Sequence, residues 1–179
     1  CPCQQATVDF DGQVVTVLNV HPTRPTLGLR RVGPIPVPTR FDTSRRDQAL
    51  RAIVARVKTI ATPLIVLGDF NLSDRDATYR LLGGMLNDVY REAGWGLSNT
   101  FPSRGDFDGW PSQGGGIDLL YLPVVRLDYV FTSAGWIPTG AQVVDVPGSD
   151  HLSVMADLLL PASSPQRPAS GPAAGSGSP

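Results

Sequence analysis

Residues 64–71 read LIVLGDFN, four consecutive apolar residues that run directly into a glycine, a carboxylate and a carboxamide. The continuous apolar run predicts a central β-strand that is covered on both faces. Asp69 and Asn71 lie two residues apart, so they point the same way if the strand persists. A carboxylate that accepts a proton from water, beside an amide that donates to an oxyanion, suits a phosphate site. The alternative is an Asx turn at the end of the strand.

The segments upstream predict a hairpin, a loop and a helix. Asp11-Gly12 between two apolar runs favours a tight turn that joins strands over 7–10 and 13–20. The proline-rich stretch 21–40 is expected to be a loop. A helix is predicted over 42–61, capped by Thr43 or Ser44. Its apolar stripe consists of Leu50, Ile53, Val54, Val57 and Ile60, with Arg45, Arg46, Arg51, Arg56 and Lys58 mostly off it.

The segments downstream predict short helices and then strands. A capping-box pattern at 73–76 indicates a helix that runs to Leu82, and another short helix is expected over 85–93. Residues 95–123 form a long irregular stretch, of the kind that often shapes a substrate site. Three final strands are predicted at 126–131, 141–146 and 152–158. Helical crossovers followed by successive strands predict an α/β layered fold with a mixed sheet.

Polar residues at three other predicted strand ends are candidates for chemistry. Asp150 is a hard oxygen ligand that suits Mg²⁺, and His151 is suited to proton transfer near neutral pH; alone, the two also fit a loop aspartate and a surface histidine. Asp128 lies inside an apolar strand and needs a partner, either an imidazole or Arg126 on the same face. His21 is either a phosphate donor or a structural histidine.

Composition limits the function classes. The 179 residues carry a net charge of −1, with 41% hydrophobic and 17% charged residues, which excludes a disordered chain and a coiled coil. Near-neutral charge also argues against bulk electrostatic capture of nucleic acid.

Residues 161–179, rich in Pro, Ala, Ser and Gly, are expected to be a disordered tail behind one domain at 1–160. Cys1 and Cys3 are expected to be incidental thiols, or to pair outside the chain, because one intervening residue disfavours an unstrained disulfide. The compartment stays open.

The strand-end motifs together resemble the endonuclease/exonuclease/phosphatase family, the deoxyribonuclease I-like metal-dependent phosphoesterases. The resemblance covers about residues 8–158 and rests on these pieces: Asn19-Val20-His21-Pro22, Gly68-Asp69-Phe70-Asn71, Thr100-Phe101-Pro102, Leu127-Asp128-Tyr129-Val130-Phe131 and Ser149-Asp150-His151-Leu152. It implies part of a four-layer α/β sandwich, with the N-terminal portion missing. The first half of that fold usually supplies a metal-binding glutamate, whereas the only glutamate here, Glu92, matches no motif.

The resemblance also implies roles for individual residues. Asp69 orients or deprotonates the attacking water, Asn71 donates to the scissile phosphoryl group, and His151 contacts the phosphoryl oxygens. Asp128 fixes the tautomer of His151. His21 is a second phosphate donor, Asn19 lines the same cavity, and Asp150 helps to ligate Mg²⁺, for which Mn²⁺ is a substitute.

The implied activity is hydrolysis of a phosphate ester, with a nucleic acid, a lipid or a small phosphodiester as the substrate and a monomer as the expected state. One alternative is a non-catalytic interaction module, or an inactive fragment of this fold, that lacks the metal-binding glutamate. A second alternative is a transition-metal site built from His21, His151 and Asp69, although no helical His-Glu-x-x-His spacing supports it.

Overall fold

The computed structural model describes residues 3–32, 35–103 and 123–161. Over these ranges the chain forms nine strands and three helices. The strands are β1 Cys3–Phe10, β2 Gln13–Val20, β3 Thr26–Val32, β4 Ile35–Asp42, β5 Leu64–Asp69, β6 Asn87–Asp88, β7 Asp128–Thr132, β8 Ile137–Val144 and β9 Ser153–Leu159. The helices are α1 Ser44–Val57, α2 Ala77–Gly83 and α3 Val89–Ala93.

A five-stranded mixed sheet is the centre of the fold, with strand order β1-β2-β5-β7-β6. Strands β2 and β5 run parallel, whereas the other neighbouring pairs are antiparallel. Strand β5 is the middle strand, as its continuous apolar run predicts. Two antiparallel ribbons, β3-β4 and β8-β9, complete the described strands. The predicted α/β class with a mixed sheet is confirmed.

The two faces of the central sheet are buried by different layers. On one face, α1 and α2 pack against β2, β5 and β7, and Leu50, Ile53 and Val66 are fully buried between them. On the other face, α3 and the β8-β9 ribbon cover β5 and β7, with Val89 and Val130 in the buried cluster. The described chain therefore contains a helical layer and two packed sheets, the arrangement that an α/β sandwich requires.

The prediction of a loop over 21–40 was wrong, because β3 and β4 pair as an antiparallel ribbon in this region. Pro36 and Pro38 led to the error, since proline cannot donate to a sheet. In a two-stranded ribbon, however, each strand keeps one unpaired edge, and prolines at alternate positions can both direct their missing N–H groups there.

The predicted helices form, but with later starts. Helix α1 begins at Ser44 behind Thr43, whose hydroxyl donates to Asp47 and makes no backbone cap. Helix α2 is capped by Asp76, whose side chain accepts from the N–H of Thr78, so the predicted capping box at 73–76 was wrong. The helix predicted over 85–93 is reduced to α3, which follows the two-residue strand β6. The predicted hairpin at Asp11-Gly12 and the three final strands are confirmed.

Cys3 is disulfide-bonded, so the expectation of incidental thiols was wrong at this position. A sequence gives the number of residues between two cysteines but not where the backbone places their sulfur atoms. Cys1, positions 104–122 of the predicted irregular stretch, and the predicted tail beyond Pro161 lie outside the described residues. Across the described ranges, no helix has the length and hydropathy that crossing a bilayer requires.

Candidate active site

The candidate site begins where β5 ends against the end of β2. Gly68 has a φ of +131°, and a Cβ at this position would lie 2.1 Å from the carbonyl oxygen of Val20 and 3.0 Å from the Asn19 side-chain oxygen. Only glycine permits this close approach of the two strands. The approach carries Asn19 and His21, on the β2 side, to the end of β5 that bears Asp69.

Asp69 and Asn71 form a closed local unit immediately after β5. The Asn71 backbone has a φ of +49°, and its N–H donates to Asp69 Oδ1 at 2.8 Å. The Asn71 side-chain amide donates to Asp69 Oδ2 at 3.1 Å and to the carbonyl of Pro22 at 2.9 Å. An Asx-type turn and a shared side-chain direction, which the sequence left as alternatives, therefore occur together.

Arg46 holds this unit from helix α1 and is a residue that the sequence analysis missed. It is buried, and its Nη1 donates to the carbonyl of Asn71 at 3.1 Å. Its Nη2 donates to Asp76 and Asp47, both at 2.8 Å. The fork of the guanidinium thus ties the left-handed Asn71 backbone to the N-terminus of α2. The signal was present, because positions 46, 50, 53 and 57 share the spacing of the buried face of α1.

Asp128 pairs with His151, the first of the two partners that the sequence left open. His151 Nδ1 lies 2.8 Å from Asp128 Oδ2. The alternative partner was wrong, because Arg126 forms a buried ion pair with Asp88 instead. An aspartate on Nδ1 keeps the proton there, which leaves Nε2 facing the site.

Thr100 and Phe101 support this dyad from the irregular stretch. The buried Thr100 hydroxyl accepts from the N–H groups of Leu127 and Asp128, at 3.0 and 3.3 Å. The Phe101 ring lies 4.9 Å, between centroids, from the imidazole of His151. The segment that the sequence identified only as a turn therefore fixes both members of the dyad.

Both histidines of the chain face the carboxylate of Asp69. His151 Nε2 lies 3.9 Å and His21 Nε2 lies 3.7 Å from Asp69 Oδ2. His21 is 68% exposed, whereas the side chain of His151 is only 13% exposed. The structure thus brings Asp69, Asn71, Asp128, His151 and His21 into one neighbourhood.

Asn19 and Asp150 lie at the margin of that neighbourhood. Asn19 is exposed and donates to the side chain of Gln4 at 3.3 Å, although its oxygen lies against Gly68. Asp150 lies 3.4 Å from Arg24 Nη2 and is part of no group of close metal-ligating atoms among the described residues. Its predicted role as a metal ligand stays a prediction.

The surroundings of the site raise the pKa values of both Asp69 and His151. Burial raises the pKa of Asp69, and the neighbouring Asp128 carboxylate raises it further, while the Asn71 N–H and the two histidines act in the opposite direction. The hydrogen bond that His151 donates to Asp128 raises the pKa of His151 against the effect of burial. A desolvated carboxylate therefore faces an imidazole that readily becomes a cation.

The donor set fits a divalent cation. One ligand atom from each of Asp69, Asp128 and His151 lies within 4.8 Å of the others. The repulsion that Asp128 exerts on the Asp69 carboxylate would be offset by a positive ion between them. Carboxylate oxygens and an imidazole nitrogen are both ligands that divalent cations accept in proteins. His21 is not part of this group, so the described atoms give the His21-His151-Asp69 alternative no close three-ligand cluster.

Comparison with known families decides the identity of the fold. The sequence model of the Endonuclease/Exonuclease/phosphatase family matches residues 3–151. The chain belongs to the endonuclease/exonuclease/phosphatase family. The resemblance drawn from the strand-end motifs is therefore confirmed. No curated protein sequence matches the chain.

Solved structures with the endonuclease/exonuclease/phosphatase fold superpose on the chain. A mannosyl-6-phosphatase from Bacteroides thetaiotaomicron has a TM-score of 0.54 and 19% identity, over 83% of this chain and 52% of that one. A humanized Danio rerio TDP2 has a TM-score of 0.57 and 19% identity, over 87% and 59%. The Staphylococcus aureus beta toxin has a TM-score of 0.55 and 17% identity, over 86% and 55%. The chain spans about half the length of such structures.

Proposed function

We propose that this chain carries the catalytic residues of a metal-dependent phosphoesterase that hydrolyses a phosphate ester with water. The observation that carries the proposal is the convergence of Asp69, Asn71 and the Asp128-His151 dyad at one edge of the central sheet. These groups come from strand and loop segments up to 82 positions apart in the chain. Membership in a family named for nucleases and phosphatases supports the same chemistry.

Each side chain has a role that suits its surroundings. Asp69, with a raised pKa, orients the attacking water and accepts its proton. His151 contacts the phosphoryl oxygens, held by Asp128 in the tautomer that directs Nε2 to the site. Asn71 orients Asp69 and donates to the phosphoryl group when substrate replaces its bond to Asp69. His21, mostly exposed, is the second phosphate donor, and Asn19 lines the margin.

Asp69 and Asp128, with Asp150 as a further oxygen donor, are the residues we propose to hold Mg²⁺ or Mn²⁺. A bound divalent ion would supply charge stabilisation for the phosphoryl oxygens. Because phosphate ester hydrolysis is very slow without a catalyst, positioning and charge stabilisation together account for the rate that such a site provides.

The test is hydrolysis of bis-p-nitrophenyl phosphate by the protein, with and without Mg²⁺. We expect turnover that is abolished by EDTA and restored by Mg²⁺ or Mn²⁺. Full activity in EDTA would refute the metal requirement. An inactive protein at every metal concentration would instead favour the non-catalytic module. That alternative has a specific basis, since Glu92, the only glutamate, lies exposed on α3 and is not among the close ligand atoms of the site.

A pH titration of the two histidines tests the dyad directly. We expect His151 to titrate above the ordinary histidine pKa of 6.5, because the hydrogen bond to Asp128 favours the imidazolium. Replacement of Asp128 by asparagine removes that charge and should lower the pKa of His151. The chain has only two histidines, so their ring resonances are resolved by NMR in the metal-free protein. The His21 resonance is the internal control, and an unmoved His151 resonance in Asp128→Asn would contradict the dyad.

A further inference from the structure

A groove of about 550 Å³ opens beside the candidate active site and is not used by the roles assigned above. It lies between the end of the β3-β4 ribbon, the start of α1 and α2, and the loops before β7. Its lining includes Phe41, Arg46, Asn71, Asp76, Phe101 and His151. Because His151 and Asn71 are part of this lining, the groove is continuous with the place where a phosphoryl group would sit.

Most polar groups of the groove are already paired with one another. Arg46 uses Nε, Nη1 and Nη2 in hydrogen bonds to Asp47, Asn71 and Asp76. Asp76 also accepts from the N–H of Thr78, and the Thr43 hydroxyl donates to Asp47. A ligand with many hydroxyl groups would have to break these bonds, or leave its own hydroxyls without partners, and either outcome weakens binding.

Most of the rest of the lining is apolar, with Arg24 and Ser73 as polar exceptions. Phe41, at the end of β4, is 65% exposed and stands on one wall. Phe101 also lines the groove and packs against His151, so it connects the groove to the dyad. Pro25, Val125 and Leu127 complete this surface. Predominantly apolar pockets with a few polar groups at one end are typical of sites for small organic ligands.

We propose that this groove binds an apolar aryl or alkyl group esterified to the phosphate of the substrate, and that it selects such esters over sugar phosphates. The inference rests on the proposed function, because it places the phosphate between His151 and Asn71. It goes further by naming which part of the substrate is recognised. Burial of apolar carbon against Phe41 and Phe101 stabilises the complex, and a polyhydroxylated group gains nothing equivalent there.

The experiment measures binding of three probes by calorimetry in Mg²⁺ buffer: inorganic phosphate, n-hexyl phosphate and glucose 6-phosphate. We expect n-hexyl phosphate to bind at least about tenfold more tightly than glucose 6-phosphate, since several methylene groups are buried. In Phe41→Thr this ratio should fall by about three- to tenfold. Phe10→Thr is the matched control, because Phe10 is 49% exposed on β1, near the Asp11-Gly12 turn at the other end of the sheet, and should keep the ratio.

The outcomes separate the two proposals. Equal affinities for the two organic probes, or equal ratios in Phe41→Thr and Phe10→Thr, overturn the groove assignment. If bis-p-nitrophenyl phosphate is still hydrolysed under those conditions, the proposed function stands and only the groove fails. If the protein neither hydrolyses that ester nor binds inorganic phosphate, the proposed function fails and the groove assignment fails with it.

Discussion

The Asp69→Asn variant should lose about 10²–10⁴-fold in kcat for hydrolysis of bis-p-nitrophenyl phosphate while it stays folded. Asparagine has the same shape, and its oxygen can still accept from the Asn71 N–H, which now lies at 2.8 Å from Asp69 Oδ1. It cannot accept a proton from water. It also removes one of the two carboxylates proposed to hold the metal, so the affinity for Mg²⁺ should fall as well.

Stability should change far less than activity. The pKa of Asp69 is raised in the folded protein, so the folded state binds a proton more tightly than the unfolded chain. The wild-type free energy of unfolding therefore falls as the pH rises from about 3.8 through the raised folded-state pKa. The variant has no carboxyl group to titrate at this position, so its free energy of unfolding should not show this decrease with pH. We expect urea unfolding at pH 7 to show a variant no more than about 1 kcal/mol less stable than the wild type, the scale of one lost hydrogen bond.

Asp74→Asn is the matched control, since Asp74 is an exposed carboxylate that follows the same strand and forms an ion pair with the exposed Arg91. It should keep wild-type turnover. If Asp69→Asn retains more than a tenth of the wild-type kcat, Asp69 is not the proton acceptor. A large loss of activity together with early unfolding would assign Asp69 a structural role instead.

Local patterns in the sequence were sufficient to predict most strands and the main helix. The apolar run before Gly68, the Asp-Gly turn and the stripe on α1 all depend on residues that are close along the chain. The motifs of the family depend on such short patterns too. These features therefore led to the correct fold class without knowledge of how the strands pair.

The partners within the site could not be predicted in this way, because they are set by register. The antiparallel pairing of β5 with β7 places Asp69 opposite Asp128. The parallel pairing of β2 with β5 brings Val20 beside Gly68. The sequence around each of these residues does not determine which residue of the neighbouring strand it lies beside. For the same reason the partner of Arg126 was missed, since Asp88 lies 38 positions away on a two-residue strand.

Removal of the Arg126 guanidinium is expected to cause the largest loss of stability. Arg126 and Asp88 are 5% and 6% exposed, and Arg126 also lies over the Tyr129 ring, 4.4 Å from its centroid. Breaking a buried pair by removal of one partner typically costs about 3–5 kcal/mol, a large fraction of the stability of one domain. We expect Arg126→Met to lose this amount in urea unfolding, whereas Arg24→Met, at the more exposed Arg24–Asp150 pair, should lose about 0–1 kcal/mol.

A double variant separates the unpaired charge from the lost packing. Asp88 keeps its role as a helix cap without Arg126, because its Oδ1 accepts from the N–H groups of Tyr90 and Arg91 at the start of α3. Asparagine is an equally good cap but carries no charge. If the cost of Arg126→Met comes from a buried carboxylate without its partner, Arg126→Met/Asp88→Asn should be more stable than the single variant. If the double variant is the less stable of the two, packing of the guanidinium against Tyr129 is the dominant contribution, and the ion pair sets only the geometry of the strand that carries Asp128.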